Sequence, residues 1–190
     1  MILFVDACAG ASSRTRRLAF KVLENLNEEW ETLVLYNLNM TVLNEAKLTK
    51  RTNLCKAGSF SDSMFELAKQ FARADTIVIA APFWDLSFPT ILKQYIENVC
   101  VSGITFKYSP EGVPIGLCKA ENLYYVTTAG GRIYNSEFGF GYIKALAQSM
   151  FGIKNVRIFC AEELDIIGND VEKILTSAET QISSYFSKQP

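Results

Sequence analysis

Apolar residues along the chain fall into two alternating patterns. Short, nearly unbroken runs at 2–7 (ILFVDA), 32–36 (TLVLY), 76–81 (TIVIAA), 123–128 (LYYVTT) and 156–161 (VRIFCA) have the length and residue content of buried strands. The stretches between them repeat with helical spacing. Leu18, Ala19, Val22, Leu23 and Leu26 share one face of a first helix. Met64, Phe65, Ala68, Phe71 and Ala72 do so in a helix predicted over 61–73, and Ile91, Leu92, Tyr95, Ile96 and Val99 in one over 89–100. A further helix is predicted over 139–151, and a last one turns Val171, Ile174, Leu175, Ala178, Ile182 and Tyr185 inward. Pro89 suits a first helical turn, where a missing N–H costs nothing. Asn169 with Glu172 reads as a capping box for the last helix.

Strands that are apolar on both faces, separated by amphipathic helices, predict an α/β fold with a parallel sheet covered on both sides. Right-handed crossovers leave few arrangements of five strands. The leading one is a flavodoxin-like three-layer sandwich with strand order 2-1-3-4-5. No repeat, linker or low-complexity tract divides the sequence, so residues 1–190 read as a single domain. The connections at 37–59 and 101–118 are long, the first reading as irregular and polar. They are the expected places for dimer or substrate contacts.

Composition narrows the function. A chain of 190 residues with 49% hydrophobic and 21% charged residues is globular, and its net charge of -1 gives no basic footprint for nucleic acid or a membrane surface. No apolar run approaches the roughly 20 residues of a membrane span. The start, MILFVDA, has no positive leader, so a signal peptide is not expected. There are no histidines, which removes His-based triads and His metal ligands. The five cysteines (Cys8, Cys55, Cys100, Cys118, Cys160) form no C-x-x-C pair; no metal site is expected, and a reducing, cytoplasmic setting suits them. Cys8 reads as a small buried hydrophobe, and Cys100, Cys118 and Cys160 as core. Tyr124 and Tyr125 alternate along a strand, so one should pack under each face.

In an open parallel sheet, ligands bind beyond the carboxyl ends of the strands. Three loops build that edge. The first, CAGASSRT, has small residues for close approach, hydroxyls at Ser13 and Thr15, and the start of a helix with its free N–H groups. Arg14, Arg16 and Arg17 add charge, and Arg14 is the candidate to neutralise a phosphate. Neither a Walker loop nor a G-x-G-x-x-G fingerprint is present. The second loop offers Phe83 and Trp84 to a flat ring, with backbone N–H groups of 84–86 for a polar edge. Taken alone, those aromatics read more readily as a plug for the sheet edge than as a ligand wall. The third, Thr127-Thr128-Ala129-Gly130-Gly131, supplies hydroxyls and glycines. Together the loops fit a mononucleotide with a planar ring, and FMN is the natural candidate.

The motifs SSRTRRLA, ADTIVIAAPFWDLSFPTILKQYIENV, GITFKYSPEGVPIGL and TTAGG, in this order, resemble the flavodoxin-like FMN-dependent NAD(P)H oxidoreductases of the azoreductase and quinone reductase type. The resemblance implies a homodimer that binds FMN, takes electrons from NADH or NADPH, and passes them by a ping-pong mechanism to a small-molecule acceptor: a quinone, azo compound or nitroaromatic. It implies that Ser13, Arg14 and Thr15 hold the phosphate. It places Pro82, Phe83, Trp84, Asp85 and Leu86 along the ring system, and Thr128, Ala129, Gly130 and Gly131 at its polar edge. Phe106 and Tyr108 then contact substrate across the subunit interface. Two other readings stay open on the residues: an FMN electron carrier without NAD(P)H reactivity, and a flavin-free binding protein on the same fold. Asp85 departs from the asparagine found in many relatives, and no substrate residue is carried over from 132–140.

Overall fold

A computed structural model describes residues 1–188; the last two positions of the expected domain lie outside the described residues. The central strands are β1 (Ile2–Asp6), β2 (Trp30–Val34), β3 (Thr76–Ala80), β6 (Asn122–Thr128) and β7 (Asn155–Ala161). They form one sheet in the order β2-β1-β3-β6-β7, all parallel, which is the expected 2-1-3-4-5 arrangement.

Alternation along the strands divides the core in two. Leu3, Val5, Ile77, Ile79, Leu123 and Tyr125 point to one face, where α3 (Glu66–Arg73) and α4 (Thr90–Val99) cover them with Phe71, Leu92, Tyr95 and Ile96. Ile2, Phe4, Val78, Tyr124 and Val126 point to the other, beneath Leu18, Val22 and Leu23 of α1 (Arg14–Leu26) and Leu175, Ala178 and Ile182 of α6 (Val171–Phe186). Tyr124 and Tyr125 thus lie on opposite faces, as the alternation required.

Four local features differ from the pattern-based expectation. The connection 37–59 is not irregular: it contains α2 (Glu45–Lys56), started by Asn44, whose side chain accepts from Lys47 N–H. No residue of α2 is fully buried, so it has no strong apolar stripe to mark it. The connection 101–118 folds into a small antiparallel pair, β4 (Phe106–Tyr108) and β5 (Pro114–Gly116). The last helix is capped by Asp170, which accepts from Lys173 N–H at 3.0 Å, and not by Asn169. The Asn169 amide is engaged elsewhere, donating to the Glu163 carbonyl at 2.9 Å. Finally, Cys160 is exposed rather than core. It lies on the edge strand β7, on the face it shares with the partly buried Val156 and Ile158.

The predicted helix over 139–151 is α5 (Tyr142–Leu146), flanked by wider turns at Glu137–Gly141 and Ala147–Phe151. The second of these packs on β5. A Cβ on Gly116 would run into the backbone of Phe151 and Gly152, so only glycine fits that crossing. Gly116→Ala should therefore lower unfolding stability by about 1–3 kcal/mol, as overpacking does. Urea denaturation followed by circular dichroism checks this, and an unchanged midpoint would show that the hairpin moves aside freely.

Candidate functional site

The carboxyl ends of β1, β3 and β6 lie side by side, and the loops that follow them are tied together at Thr128. Its hydroxyl pairs with that of Thr15 at 2.6 Å, both groups being buried. Its carbonyl accepts from Phe83 N–H at 2.9 Å. One residue therefore connects the start of α1, the loop after β3 and the end of β6.

In the first loop, Ser13 caps α1 by accepting from Arg16 N–H at 3.2 Å. The N–H groups of Arg14 and Thr15 have no acceptor among the described residues, as first-turn donors of a helix generally lack one. Arg14 turns toward the segment after β7, donating to Asp165 Oδ1 at 2.8 Å and to the Leu164 carbonyl at 3.1 Å. Arg16 turns inward to the buried Asp6. Arg17 reaches α6, where it bridges Glu172 and Glu179. Burial, chiefly, pushes the Cys8 thiol up to about 12, so it stays protonated near neutral pH; this is the inert buried cysteine the sequence suggested.

The second loop is a tight reversal. Trp84 and Ser87 exchange backbone hydrogen bonds at 3.0 and 2.8 Å, and the two residues between them, Asp85 and Leu86, have φ of 50° and 66°. Two left-handed residues in succession make a type I′ turn, usually built from Asn and Gly. Aspartate tolerates this conformation through its short polar side chain; leucine does not gain in that way. Leu86 is nonetheless 56% exposed, and Trp84 beside it 47%. A strained turn that displays two large apolar side chains to solvent points to function at this position. Asp85 is also exposed, and asparagine would serve the turn as well.

Further residues join the site. Ser87 Oγ donates to the Phe138 carbonyl at 2.7 Å, and Gly139 lies against the Phe83 ring. This brings the 132–140 segment to the aromatic wall, with Tyr134 and Phe138 exposed. The third loop is anchored by Ala129 N–H to the Ala161 carbonyl at 2.9 Å. The segment after β7 closes over it through Asp165 N–H to the Gly130 carbonyl at 2.9 Å. A Cβ on Gly130 would strike the Asp165 carboxylate, while Gly131 is open. Near the end of β6, the hydroxyls of Tyr125 and Thr127 are buried without a partner in hydrogen-bond geometry among the described residues. Phe106 and Tyr108 stand apart on β4, whose neighbouring loops hydrogen-bond it to the 103–105 segment. Phe106 is 6% exposed beneath Tyr108, which is 56% exposed, with the rings edge to face at 5.4 Å.

The sequence thus located the three loops but not the fourth. Asp165 lies in a segment without a recognisable motif. The roles of Arg14, Arg16 and Arg17, all in the first turn or so of α1, depend on their directions around the helix.

The model of the family described as having a flavodoxin-like fold matches residues 1–186. The chain belongs to this flavodoxin-like family. A relative named FMN-dependent NADH:quinone oxidoreductase 2, from Clostridium acetobutylicum, is 37% identical over 187 residues, 92% of each chain. Among solved structures, an azoreductase from Bacillus anthracis superposes with a TM-score of 0.84 at 22% identity, over 99% of each chain. An FMN-dependent NADH-azoreductase from Bacillus anthracis, in complex with FMN, superposes with a TM-score of 0.78 at 23% identity, over 98% of this chain and 97% of that one. These two likenesses share the fold over 99% and 98% of this chain.

The Thr15–Thr128 pair gives a direct test of the junction in this flavodoxin-like protein. Thr128→Val leaves the Thr15 hydroxyl buried and unpaired, and should cost about 1–3 kcal/mol of unfolding free energy. Thr15→Val/Thr128→Val removes both hydroxyls and should recover part of the loss. A double-mutant cycle by urea denaturation reads the coupling; strictly additive single effects would show that the 2.6 Å contact couples nothing.

Proposed function

We propose that the chain is an FMN-dependent NAD(P)H oxidoreductase that acts, as a homodimer in the cytoplasm, on quinones, azo compounds or nitroaromatics. One observation carries the reading. Thr128 locks a helix start with unpaired N–H groups beside an exposed aromatic wall, and that pairing suits a phosphate and a flat ring in one ligand.

The residues present fit FMN. Ser13 and the N–H groups of Arg14 and Thr15 would hold the phosphate. The Thr15 side chain lies beneath the loop, bound to Thr128, and so supports the site from below. The Arg14 guanidinium lies within reach of the same helix start, paired with the exposed Asp165. Pro82, Phe83, Trp84, Asp85 and Leu86 would flank the ring. Thr128, Ala129, Gly130 and Gly131 would border its polar edge, with the unpartnered Thr127 hydroxyl close behind. When bound, FMN would supply the two-electron chemistry between NADH or NADPH and the acceptor. The protein's own residues bind, orient and shield.

Several features support the rest of the reading. Tyr108 is exposed on β4 above Phe106, which supports a contact with a partner subunit's site. It stands with the exposed Val113, Ile115 and Leu117 of the same hairpin region, an apolar surface suited to a second copy. The five cysteines are free, which supports a reducing compartment. Among the described residues no helix is long and apolar enough to cross a membrane.

The FMN-loaded protein should lose its visible flavin absorbance when NADH or NADPH is added without oxygen. Initial rates against a quinone should then give parallel reciprocal plots. A flavin that neither nicotinamide bleaches would mark an electron carrier and end the enzyme reading. Trp84→Ala should weaken FMN binding or slow turnover by about tenfold, the scale of a lost aromatic contact, with the circular dichroism spectrum unchanged. Unaltered affinity and kinetics would make Trp84 only a plug for the sheet edge.

A further inference from the structure

The guanidinium of Arg16 is engaged at all three nitrogens and is less exposed than that of Arg14 or Arg17. Its Nε donates to Asp6 Oδ2 at 2.5 Å, its Nη2 to the Cys8 carbonyl at 2.9 Å, and its Nη1 to the carbonyls of Gly10 and Ala11 at 2.6 and 3.0 Å. Asp6 itself is 1% exposed, and its other oxygen accepts from Cys8 N–H at 2.9 Å. A buried carboxylate at the last position of β1 therefore anchors a guanidinium that collects three carbonyls of the loop that follows, those of Cys8, Gly10 and Ala11.

Peptide geometry converts this into a statement about the other side of the loop. No peptide bond among the described residues is cis, and in a trans peptide the carbonyl of one residue and the N–H of the next point in opposite directions. With the carbonyls of Cys8, Gly10 and Ala11 drawn to Arg16, the N–H groups of Ala9, Ala11 and Ser12 are directed away from it. None of these three donates a hydrogen bond among the described residues. Outward amides, next to the unpaired N–H groups of Arg14 and Thr15, form an anion-binding concavity.

We infer that Asp6 and Arg16 are positioning residues for the flavin phosphate: they hold the 8–12 loop with its amides outward, as a preformed nest. This rests on the phosphate reading of the first loop given above. Because the clamp pairs one positive with one negative group, it acts through shape rather than net charge. The planar fork of arginine is required, since a lysine offers one point charge and cannot meet three carbonyls and a carboxylate in fixed directions.

The test compares the dissociation constants of FMN and riboflavin, by quenching of flavin fluorescence, in the wild type and in Arg16→Lys. A lysine keeps a cation beside Asp6. It should weaken FMN by about tenfold, the value of a lost charge-assisted hydrogen bond, while riboflavin affinity is retained. The neutral pair Asp6→Asn/Arg16→Gln should shift the same ratio without leaving a buried charge. An FMN-to-riboflavin ratio unchanged in these variants overturns the inference alone. A wild type that binds FMN and riboflavin equally overturns the phosphate reading with it. A measurement on the wild type needs no variant to fold: FMN should slow hydrogen exchange at the amides of Ala9, Ala11 and Ser12, and riboflavin should not. Equal protection by the two ligands, or none by FMN, overturns the inference.

Discussion

The hydrogen bonds that meet at Thr128 are the constraint on which the candidate site depends. Loops are usually the mobile part of a fold, and three independent loops would not hold one ligand in a fixed pose. Here the buried hydroxyl pair with Thr15 ties the loop after β6 to α1, and the Thr128 carbonyl ties it to Phe83. The hydroxyl pair is buried, where losing a partner is costly. The loops thus take their relative positions from the parallel sheet beneath them, whose β1, β3 and β6 are in continuous register.

Arginine direction extends that constraint. Three arginines in the first turn of α1 do three different things because successive residues on a helix are rotated by about 100°. Arg17 binds α1 to α6 through Glu172 and Glu179. Arg16 sets the path of the loop before it through Asp6. Arg14 draws the segment after β7 across Gly130 through Asp165. The Arg14–Asp165 pair is largely exposed, as is Arg17–Glu172, and surface pairs contribute little to stability. The Arg14 pair lies beside the candidate site, where rearranging it costs little.

Much of this was legible in the residues. The sheet order followed from five apolar runs and the handedness of crossovers, because strands buried on both faces leave an unbroken apolar signal. Helices with a covered face were found for the same reason. Helix α2 was not, because its lack of fully buried residues leaves its pattern close to that of a polar loop. The cap of α6 is Asp170 and not Asn169 because the helix begins at Val171, one residue later than the capping box implied. Cys160 reads as core by residue type, but its position on an edge strand decides its exposure. The loops of the site were legible as loops; the fourth loop and the division of labour among the arginines were not, since both depend on contacts more than 150 residues apart in the chain for Arg14 and Arg17.

The turn at Asp85 and Leu86 shows what the rigid edge makes possible. A non-glycine pair in the left-handed region carries strain, of order 1–3 kcal/mol per residue, and exposed apolar side chains beside it forgo the gain of burial. A mobile loop would relax both. This one is held at each end, by Phe83 on Thr128 and by Ser87 on the Phe138 carbonyl, so Trp84 and Leu86 stay displayed. A ligand or second subunit that covers them binds the folded chain and not the unfolded one, and so returns stability through mass action. The fold then carries its unfavourable terms where an occupant can remove them. This is the arrangement expected when a surface is shaped for a ligand and not merely closed against water.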